Sequence, residues 1–352
     1  MSRIIGVLTG GGDCPGLNAV IRAVVKRATR DFGWTVVGVE DGFLGLMERE
    51  ARTRPLTPRD VVGLLPKGGT ILGTSNRANP FSGPDGKDQS ERVARHVESL
   101  GLDALVCVGG DGTQTIAHRL YERYGVPVVG VPKTIDNDVA ATDYTFGFDS
   151  ARACATIAVD RLHSTAESHD RVMLLEVMGR DAGFIALHAG LAGGADVILL
   201  PEIPYDVAAV ADAIRRRKAR GRSFSVVVVA EGSRPLGGEK VYQAAGRLGG
   251  IAHHLAEALQ AHIDLECRVT VLGHLQRGGS PTPFDRLLAT RFGAAALDLV
   301  AEERFDQMVA LSGNAIVAVS LEEAIGRPRR VDPQGELCRT ARSLGICLGE
   351  AT

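Results

Sequence analysis

The stretch "DALVCVGGDGTQTIAHRLYERYGVPVVGVPKT", residues 103–134, indicates the fold class most clearly. An apolar run at its start is typical of a buried strand, and a glycine-rich turn follows it. A helix-like segment comes next, and a second apolar run, "VPVVGV", closes the stretch. Near-continuous apolar, β-branched runs fit strands that are buried on both faces. Strand, helix and strand in this order form a βαβ unit, which joins parallel strands.

The same alternation extends through the chain of 352 residues. After the first apolar run, Val20, Val24 and Ala28 recur at helical spacing. We therefore predict an α/β fold with mainly parallel sheets flanked by helices, in two domains or one large domain. The further predicted strands lie at residues 3–9, 35–40, 171–179, 195–202, 223–232 and 267–279.

Composition narrows the class of protein. The net charge of −2 shows no basic excess of the kind that accompanies nucleic-acid binding, so we expect no nucleic-acid partner. No apolar run approaches the roughly 18 to 20 residues that span a membrane, and the start lacks a signal-peptide pattern. The six cysteines are scattered without a CxxC pair, which predicts reduced thiols and a cytoplasmic location.

Open parallel sheets bind ligands at the carboxyl ends of their strands. The first predicted strand ends in "TGGGDCPGLN", residues 9–18, where Gly11 and Gly16 have the spacing of a P-loop. Leu17 and Asn18 stand where that motif needs Lys and Ser or Thr, and the dinucleotide pattern is absent too. A tight turn is the plain alternative, but three consecutive glycines favour a closely bound phosphate.

The strand within residues 103–134 ends in "VGGDGT". Gly109 and Gly110 let the backbone approach a ligand, and Asp111 is placed to hold Mg²⁺ near phosphates. Thr113 is a candidate cap of the following helix, and a capped turn alone also explains this segment.

The next strand ends in "PKTIDND", residues 132–138, which places one cation and two acids close together. Lys133 is suited to neutralise phosphate charge. Of Asp136 and Asp138, one is a candidate general base for a hydroxyl, and the other is suited to orient that hydroxyl or to help hold magnesium. The alternative is a solvated surface loop.

Basic residues adjoin the later strands. Guanidinium groups bind phosphate through two hydrogen bonds, although each of these arginines could also form an ordinary surface ion pair. Glu231 is suited to accept hydrogen bonds from sugar hydroxyls, or to pair with one of the arginines. Together the turns, acids and cations favour phosphoryl transfer to a hydroxyl compound, which needs positioning, magnesium and charge neutralisation. The basic candidates are Arg171, Arg180, Arg268, His274 and Arg277.

Over nearly its whole length the sequence resembles the phosphofructokinase family. The resemblance implies two Rossmann-like lobes with the active site in the cleft between them. The larger lobe, 1–146 with 277–326, would bind ATP and Mg²⁺, and the smaller, 147–276 with 327–352, would bind fructose 6-phosphate. The resemblance rests on the motifs "GVLTGGGDCPGLNAVIR", "GGTILGT", "GGDGT", "PKTIDND", "DRLHSTAESHDRVMLLEVMGR" and "VLGHLQRGGSPTPFDR".

The resemblance also implies a role for each matching residue. Asp136 would take the proton from the sugar's 1-hydroxyl between Thr134 and Asp138, and Arg180 would stabilise the transferring group. The donor would be held by Gly11, Gly110, Asp111, Gly112 and Thr113, with Asp111 also serving magnesium. Fructose 6-phosphate would be bound by Thr134, Met178, Gly179, Arg180, Glu231, His274 and Arg277, and by Arg171 and Arg268 of a neighbouring subunit in a homodimer or homotetramer.

Two positions bear on the phosphoryl donor. Lysine at position 133 is usual in the pyrophosphate-using relatives, whereas Gly112 leaves space for the α-phosphate of a nucleotide. Where the regulated ATP enzymes carry an arginine, this chain has Asn76 followed by Arg77. We give Gly112 the most weight and expect ATP. The alternatives are pyrophosphate as donor, or another sugar phosphate such as sedoheptulose 7-phosphate as acceptor.

The sequence also bears on whether the protein has an allosteric effector and on whether it is an enzyme. The family's effector site is a basic cluster between subunits, but the matching residues are equally explained as solvated helix-face charges, and no effector is predicted. A non-catalytic sensor with this fold would not need the acids Asp111, Asp136 and Asp138, so the sequence favours an enzyme. The candidate effector residues are Arg22, Lys26, Arg161, Arg220 and Arg222.

Overall fold

Residues 2–83, 86–244 and 247–351 are described by the computed structural model. The chain divides into unit 1, Met1–Ser150 with Arg277–Pro328, and unit 2, Ala151–Gln276 with Arg329–Thr352. The boundaries expected from the sequence and the ligand assigned to each lobe stay predictions.

The strands occur in both units, and most of them follow a glycine or polar turn. They are β1 Ile4–Thr9, β2 Thr35–Val39, β3 Thr53–Leu56, β4 Ala104–Gly109, β5 Val128–Thr134, β6 Phe146–Gly147, β7 Val172–Val177, β8 Val197–Leu199, β9 Ser225–Ala230, β10 Tyr242–Ala244, β11 Arg247–Leu248, β12 Cys267–Val271, β13 Gln307–Ser312 and β14 Ala315–Ser320.

The helices connect these strands. They are α1 Leu17–Asp31, α2 Phe43–Met47, α3 Ser90–Ser99, α4 Asp111–Tyr124, α5 Phe148–His169, α6 Phe184–Gly193, α7 Val207–Ala219, α8 Ile251–Gln260, α9 Pro283–Ala301, α10 Leu321–Ala324 and α11 Glu336–Ser343. A short 3₁₀ helix, Gly273–Arg277, follows β12. None of the helices in the described part of the chain is long and apolar enough to cross a membrane.

Unit 1 contains a sheet with the strand order β14-β13-β5-β4-β1-β2-β3, and β6 pairs with β5. The pairs from β13 to β2 are parallel, whereas β3 and β14 run antiparallel at the two edges. The core beneath this sheet includes Leu8, Leu105, Leu120 and Val128, all fully buried. Strands β1, β4 and β5 therefore end side by side, with Thr9 level with Val108.

Unit 2 contains a parallel sheet with the strand order β12-β7-β9-β8. Every residue of β7 and β9 is buried, as their near-continuous apolar sequences predict, and the buried set includes Glu176 and Ser225. The core on one side includes Leu174, Val227 and Leu255. The prediction of mainly parallel sheets flanked by helices is therefore confirmed.

Several helices begin at residues suited to the position. Pro283 opens α9 after Thr282, whose side chain accepts a hydrogen bond from the N–H of Asp285. Gly16 precedes α1 with a φ of 113°, a left-handed conformation that glycine adopts at little cost. A Cβ at Gly16 would lie 2.6 Å from Cδ2 of Phe146, so close packing also excludes a side chain there.

Candidate active site

The first glycine turn, residues 10–16, joins β1 to α1 in unit 1. Gly11 has a φ of 78°, and its N–H donates to the carbonyl of Ser75 at 3.0 Å. The hydroxyl of Thr74 donates to the Gly11 carbonyl at 2.6 Å. The turn is thereby fixed to the segment that carries the predicted donor residues Asn76 and Arg77, both of which are exposed.

Two cations meet this glycine turn. The ammonium group of Lys133, at the end of β5, donates to the carbonyl of Gly12. The guanidinium group of Arg277 donates to the carbonyl of Asp13 at 3.0 Å. Lys133 is 3% exposed, and burial lowers its pKa, with the Arg277 charge acting in the same direction. The predicted residues Gly11, Lys133 and Arg277 are thus brought together, and two basic side chains lie against the turn.

The turn after β5 holds the predicted base. Asp136 is 5% exposed, and its N–H donates to the Thr134 hydroxyl at 3.1 Å. Asn137 adopts a left-handed φ of 54°, and its side-chain oxygen accepts from the N–H of Thr145 at 2.9 Å. Asn137 therefore fixes the turn between Asp136 and the half-buried Asp138, a role that the sequence analysis did not assign. The reading as a solvated loop does not hold for the buried Asp136.

The second glycine turn joins β4 to α4. Gly110 is the N-cap of α4, and the helix begins at Asp111. Thr113 lies inside the first turn and does not cap the helix, so that prediction is wrong. Its side chain packs tightly against the backbone at Gly10 and Gly109. A Cβ would lie 2.6 Å from the Thr113 hydroxyl oxygen if it were built on Gly10, and 2.3 Å if it were built on Gly109.

The surroundings of Gly112 and Asp111 differ from the tightly packed surroundings of Thr113. A Cβ at Gly112 would have no heavy atom within 4 Å, so this side of the helix start is open. The carboxylate of Asp111 accepts a hydrogen bond from the N–H of Gly326 at 3.2 Å. A Cβ at Gly110 would lie 3.4 Å from the carbonyl of Lys133, which places this turn beside the end of β5.

Asp111 would supply one carboxylate ligand to a magnesium ion at the open start of α4. Within the described residues, no cluster of three or more His, Cys, Asp or Glu side chains is arranged to hold a metal ion. Magnesium is commonly held by one or two carboxylates together with substrate phosphates and water. A single carboxylate beside an open helix start therefore suits a magnesium ion that arrives with a polyphosphate.

Asn18 supports this part of unit 1, and the sequence analysis did not find its role. Its side-chain N–H₂ donates to the carbonyls of Lys67 and Gly68, each at 3.1 Å. Its oxygen accepts from the N–H of Ile71 at 2.9 Å. Asn18 is 1% exposed, and it stands where a P-loop has its Ser or Thr. It binds a distant loop of the same unit, and no local motif indicates that partner.

In unit 2, the loop after β7 carries the predicted sugar-phosphate residues Met178, Gly179 and Arg180. The carboxylate of Glu231 accepts from the N–H groups of Gly179 at 3.3 Å and Arg180 at 3.1 Å. Arg180 adopts a left-handed φ of 50°, which is unusual for a residue with a side chain. Burial raises the pKa of Glu231, and the two N–H groups oppose that shift. Glu231 thus holds the Arg180 backbone in place.

A second half-buried acid, Glu202, holds the other end of this loop. One oxygen of Glu202 accepts from the N–H of Gly183 at 2.9 Å and of Val331 at 2.8 Å. Burial raises the pKa of Glu202. No local motif in the sequence indicates the role of Glu202, because its partners are backbone groups on segments distant in sequence.

Arg171 and Arg268 lie near the N-terminal ends of the neighbouring strands β7 and β12, whereas Arg180 follows the C-terminal end of β7. Arg171 precedes β7, and Arg268 is the second residue of β12. Both guanidinium groups bind Glu266, and the hydrogen bond from Arg171 lowers the pKa of that carboxyl. A strand of six residues spans about 20 Å, so Arg171 and Arg180 lie at opposite ends of β7. His274 is exposed in the short 3₁₀ helix.

Unit 2 also contains a basic cavity of 760 Å³ beside β8, α7 and the C-terminal segment. Two of its arginines are paired, Arg217 with Asp196 at 2.7 Å and Arg342 with Glu350 at 2.6 Å. The arginines that line the cavity are Arg216, Arg217, Arg220, Arg222 and Arg342.

The geometry has the elements that phosphoryl transfer requires. Glycine turns leave room for phosphates, cations offset their charge, and a carboxylate at the next strand end can accept a proton. Comparison with protein-family models matches residues 4–300 to phosphofructokinase. The chain belongs to the phosphofructokinase family.

Individual relatives agree with this assignment. The chain is 57% identical to the ATP-dependent 6-phosphofructokinase of Chloroflexus aurantiacus, with 98% of each chain covered. It is 52% identical to the pyrophosphate–fructose 6-phosphate 1-phosphotransferase of Streptomyces coelicolor, with 94% of this chain and 96% of that one covered. Among solved structures, Saccharomyces cerevisiae phosphofructokinase superimposes with a TM-score of 0.82 at 34% identity, covering 92% of this chain and 45% of the yeast chain.

Proposed function

We propose that this protein transfers the terminal phosphoryl group of ATP to the 1-hydroxyl of fructose 6-phosphate, which yields fructose 1,6-bisphosphate and ADP. The observation that carries the proposal is the arrangement at the strand ends of unit 1. There Lys133 and Arg277 bind the glycine turn, while the carboxylate of Asp136 lies in the turn that directly follows Lys133. Such a site offers charge neutralisation and a proton acceptor together.

The reaction needs one proton acceptor and several positive charges. Asp136 takes the proton of the sugar's 1-hydroxyl, whose oxygen then bonds to the terminal phosphorus while the bond to the bridging oxygen of ADP breaks. Thr134 and Asp138 flank the base. Lys133 and Arg180 offset the negative charge of the transferring group, which is the main demand of this chemistry.

Donor binding is assigned to the two glycine turns and the loop beside them. Gly11, Gly110 and Gly112 give the phosphates room, Asn76 and Arg77 lie on the attached loop, and Thr113 supports the site by packing. Asp111 would hold Mg²⁺, which neutralises phosphate charge when it is bound with ATP.

ATP is the proposed donor although a pyrophosphate-using relative is nearly as similar as the ATP-using ones. Overall identities of 57% and 52% do not separate the two donors. We base the choice of ATP on Gly112, because a Cβ there would meet no heavy atom within 4 Å, and this open space leaves room for the α-phosphate of a nucleotide. Lys133 is buried against the glycine turn and neutralises charge with either donor.

The sugar phosphate is assigned to unit 2 residues and to a second subunit. Met178, Gly179, Arg180, Glu231 and His274 bind fructose 6-phosphate together with Arg277. Arg171 and Arg268 bind the sugar phosphate of a neighbouring subunit, so the enzyme works as a homodimer or homotetramer. Arg171 and Arg268 lie at the opposite end of the strands from Arg180, which supports this assignment.

The first test is formation of fructose 1,6-bisphosphate by the purified protein with fructose 6-phosphate and Mg²⁺, with ATP and pyrophosphate in parallel. We expect turnover with ATP. Asp136→Asn should lower kcat about 10²- to 10⁴-fold, because it removes the general base while keeping the shape of the side chain. Binding of fructose 6-phosphate, measured by calorimetry, should be retained.

The exposed Asp264→Asn is the matched control, since it removes a carboxylate of unit 2 at a position with no assigned role. It should leave kcat unchanged. Full activity in Asp136→Asn would exclude Asp136 as the base. Turnover of the unaltered protein with pyrophosphate alone would show that the donor is assigned wrongly.

A further inference from the structure

Gln114 lies in the first turn of α4 with its side chain fully buried between the ends of β4 and β5. Its side-chain nitrogen donates to the carbonyls of Gly109 at 2.9 Å and Val131 at 3.0 Å. The carbonyl of Cys107 lies at 3.3 Å from the same nitrogen. One side chain thus bridges two neighbouring strands close to where both of them end.

The orientation of this amide is determined by its surroundings. An amide oxygen cannot donate a hydrogen bond, so a reversed amide would set its oxygen against three carbonyl oxygens. In the observed orientation the oxygen of Gln114 is buried without a hydrogen-bond partner in the described part of the chain. Burial of such an atom lowers stability, so the fold keeps Gln114 here at a cost.

A glycine in β5 makes room for Gln114. A Cβ at Gly130 would lie 2.3 Å from the side-chain oxygen of Gln114. Glycine inside a strand weakens the strand and commonly marks a close approach of another group. The position of Gly130 is therefore a second observation that this bridge is built into the sheet.

The bridge joins the two turns that the proposed reaction needs. Gly109 directly precedes the turn with Asp111, whereas Val131 and Lys133 lie in β5 and Asp136 lies in the turn that follows this strand. The hydrogen bonds of Gln114 therefore add a side-chain link to the backbone pairing of β4 with β5, next to the donor side and the base side of unit 1.

We propose that Gln114 is a positioning residue, which holds the turn of Asp111 and the turn of Asp136 at the separation that phosphoryl transfer requires. This inference rests on the proposed function. In-line transfer tolerates little displacement, and a misplacement of about 1 Å can lower the rate about 10²-fold.

Gln114→Met tests this role, because methionine has a similar unbranched shape but no N–H₂ donor. We expect kcat with ATP and fructose 6-phosphate to fall about 10- to 100-fold. The KM for fructose 6-phosphate should stay within about twofold, since the substitution leaves the residues assigned to the sugar intact and displaces only the strand ends.

Leu120→Val is the matched control, because Leu120 is fully buried in the same helix but lies a turn and a half further along. It should lower stability, measured by urea unfolding, and leave kcat within about twofold of the unaltered enzyme. If Gln114→Met keeps its kcat, or if both variants lose kcat equally, the inference is wrong.

Hydrogen–deuterium exchange supplies a readout that needs no turnover. In Gln114→Met the amides of residues 109–111 and 133–136 should exchange faster than in Leu120→Val. Unchanged exchange at both strand ends would overturn the inference even if activity fell. Absence of turnover in the unaltered protein would count against the proposed function alone, and the exchange comparison would still test Gln114.

Discussion

Gly112 is the residue at which the choice of phosphoryl donor can be tested most directly. A side chain at this position would meet no heavy atom of the protein within 4 Å. The protein itself therefore has room for aspartate, and any effect of aspartate must come from its size and charge against the bound donor. The start of a helix also favours a negative side chain, so aspartate should not destabilise α4.

We expect Gly112→Asp to fold as stably as the unaltered protein and to use ATP at least about tenfold less efficiently, measured as kcat/KM. Two negative charges about 4 Å apart at an effective dielectric constant near 20 repel each other by about 4 kcal/mol, so a tenfold loss is a conservative expectation. Pyrophosphate should be tested in parallel, because it lacks the phosphate that the new carboxylate would repel.

Gly112→Ala separates charge from bulk. Alanine suits a helix better than glycine and should raise the free energy of unfolding by about 0.4 to 1 kcal/mol. Its loss of kcat/KM with ATP should be clearly smaller than that of Gly112→Asp. Equal losses in both variants would mean that volume, and not charge, governs this position.

At the scale of elements, Asp285 links the start of α9 to the start of α5. One of its carboxylate oxygens accepts from the N–H of Ser150 at 2.8 Å and from the Ser150 hydroxyl at 2.7 Å. Burial raises the pKa of Asp285 from 3.8 to about 6, and these hydrogen bonds only partly oppose the shift. The folded state therefore holds this proton more tightly than the unfolded chain does.

This difference predicts a pH dependence of stability. Protonation of Asp285 adds stability that is fully present below pH 3.8 and is lost as the pH rises through about 6. Asp285→Asn removes the titrating group. The free energy of unfolding of the unaltered protein minus that of the variant should therefore fall by about 2 to 3 kcal/mol between about pH 4 and pH 7, at about 1.4 kcal/mol per pKa unit. Urea unfolding of both proteins at several pH values measures this difference.

Leu288→Val is a suitable comparison, since Leu288 is buried in the same helix and does not titrate. It should shift the whole curve of stability against pH downward by about 1 kcal/mol without changing its shape. A constant difference between the unaltered protein and Asp285→Asn at every pH would contradict the prediction.

The elements also show how far the sequence determines the site. Strands such as β4 and β9 and the turns after them could be predicted, because their apolar runs and glycines are local signals. The sequence does not predict β13 or the edge strands β3 and β14. The exposure of successive side chains in β14 alternates only weakly between half-buried and exposed. The place of β14 at the edge depends on its pairing with β13. Local patterns do not reveal such pairing.

The residues that support the site show the same limit more sharply. Asp136 and Lys133 could be selected from one short motif. Asn18, Asn137 and Gln114 could not be given their roles, because each binds backbone groups of other segments. Backbone carbonyls and N–H groups are the same in every residue, so the sequence carries no signal of which ones a side chain will reach.

At the scale of the whole molecule, the distribution of arginines predicts shared active sites. Arg180 follows the C-terminal end of β7, whereas Arg171 and Arg268 lie near the N-terminal ends of β7 and β12. If Arg268 serves a neighbouring subunit, an active site needs Asp136 from one chain and Arg268 from another. Asp136→Asn and Arg268→Ala should then each be nearly inactive alone.

Co-expression of these two variants should restore activity. In a two-fold symmetric pair that contains one chain of each kind, one site carries both substitutions and the other site carries neither. Random pairing makes about half of the pairs mixed, so about a quarter of the unaltered activity should return. Isolating the mixed pairs with two different affinity tags should raise this to about half. If Arg268 acts within its own chain, every site of a mixed pair carries one of the two substitutions. The activity would then equal the mean of the two separate variants, and the same result would follow if Arg268 had no role.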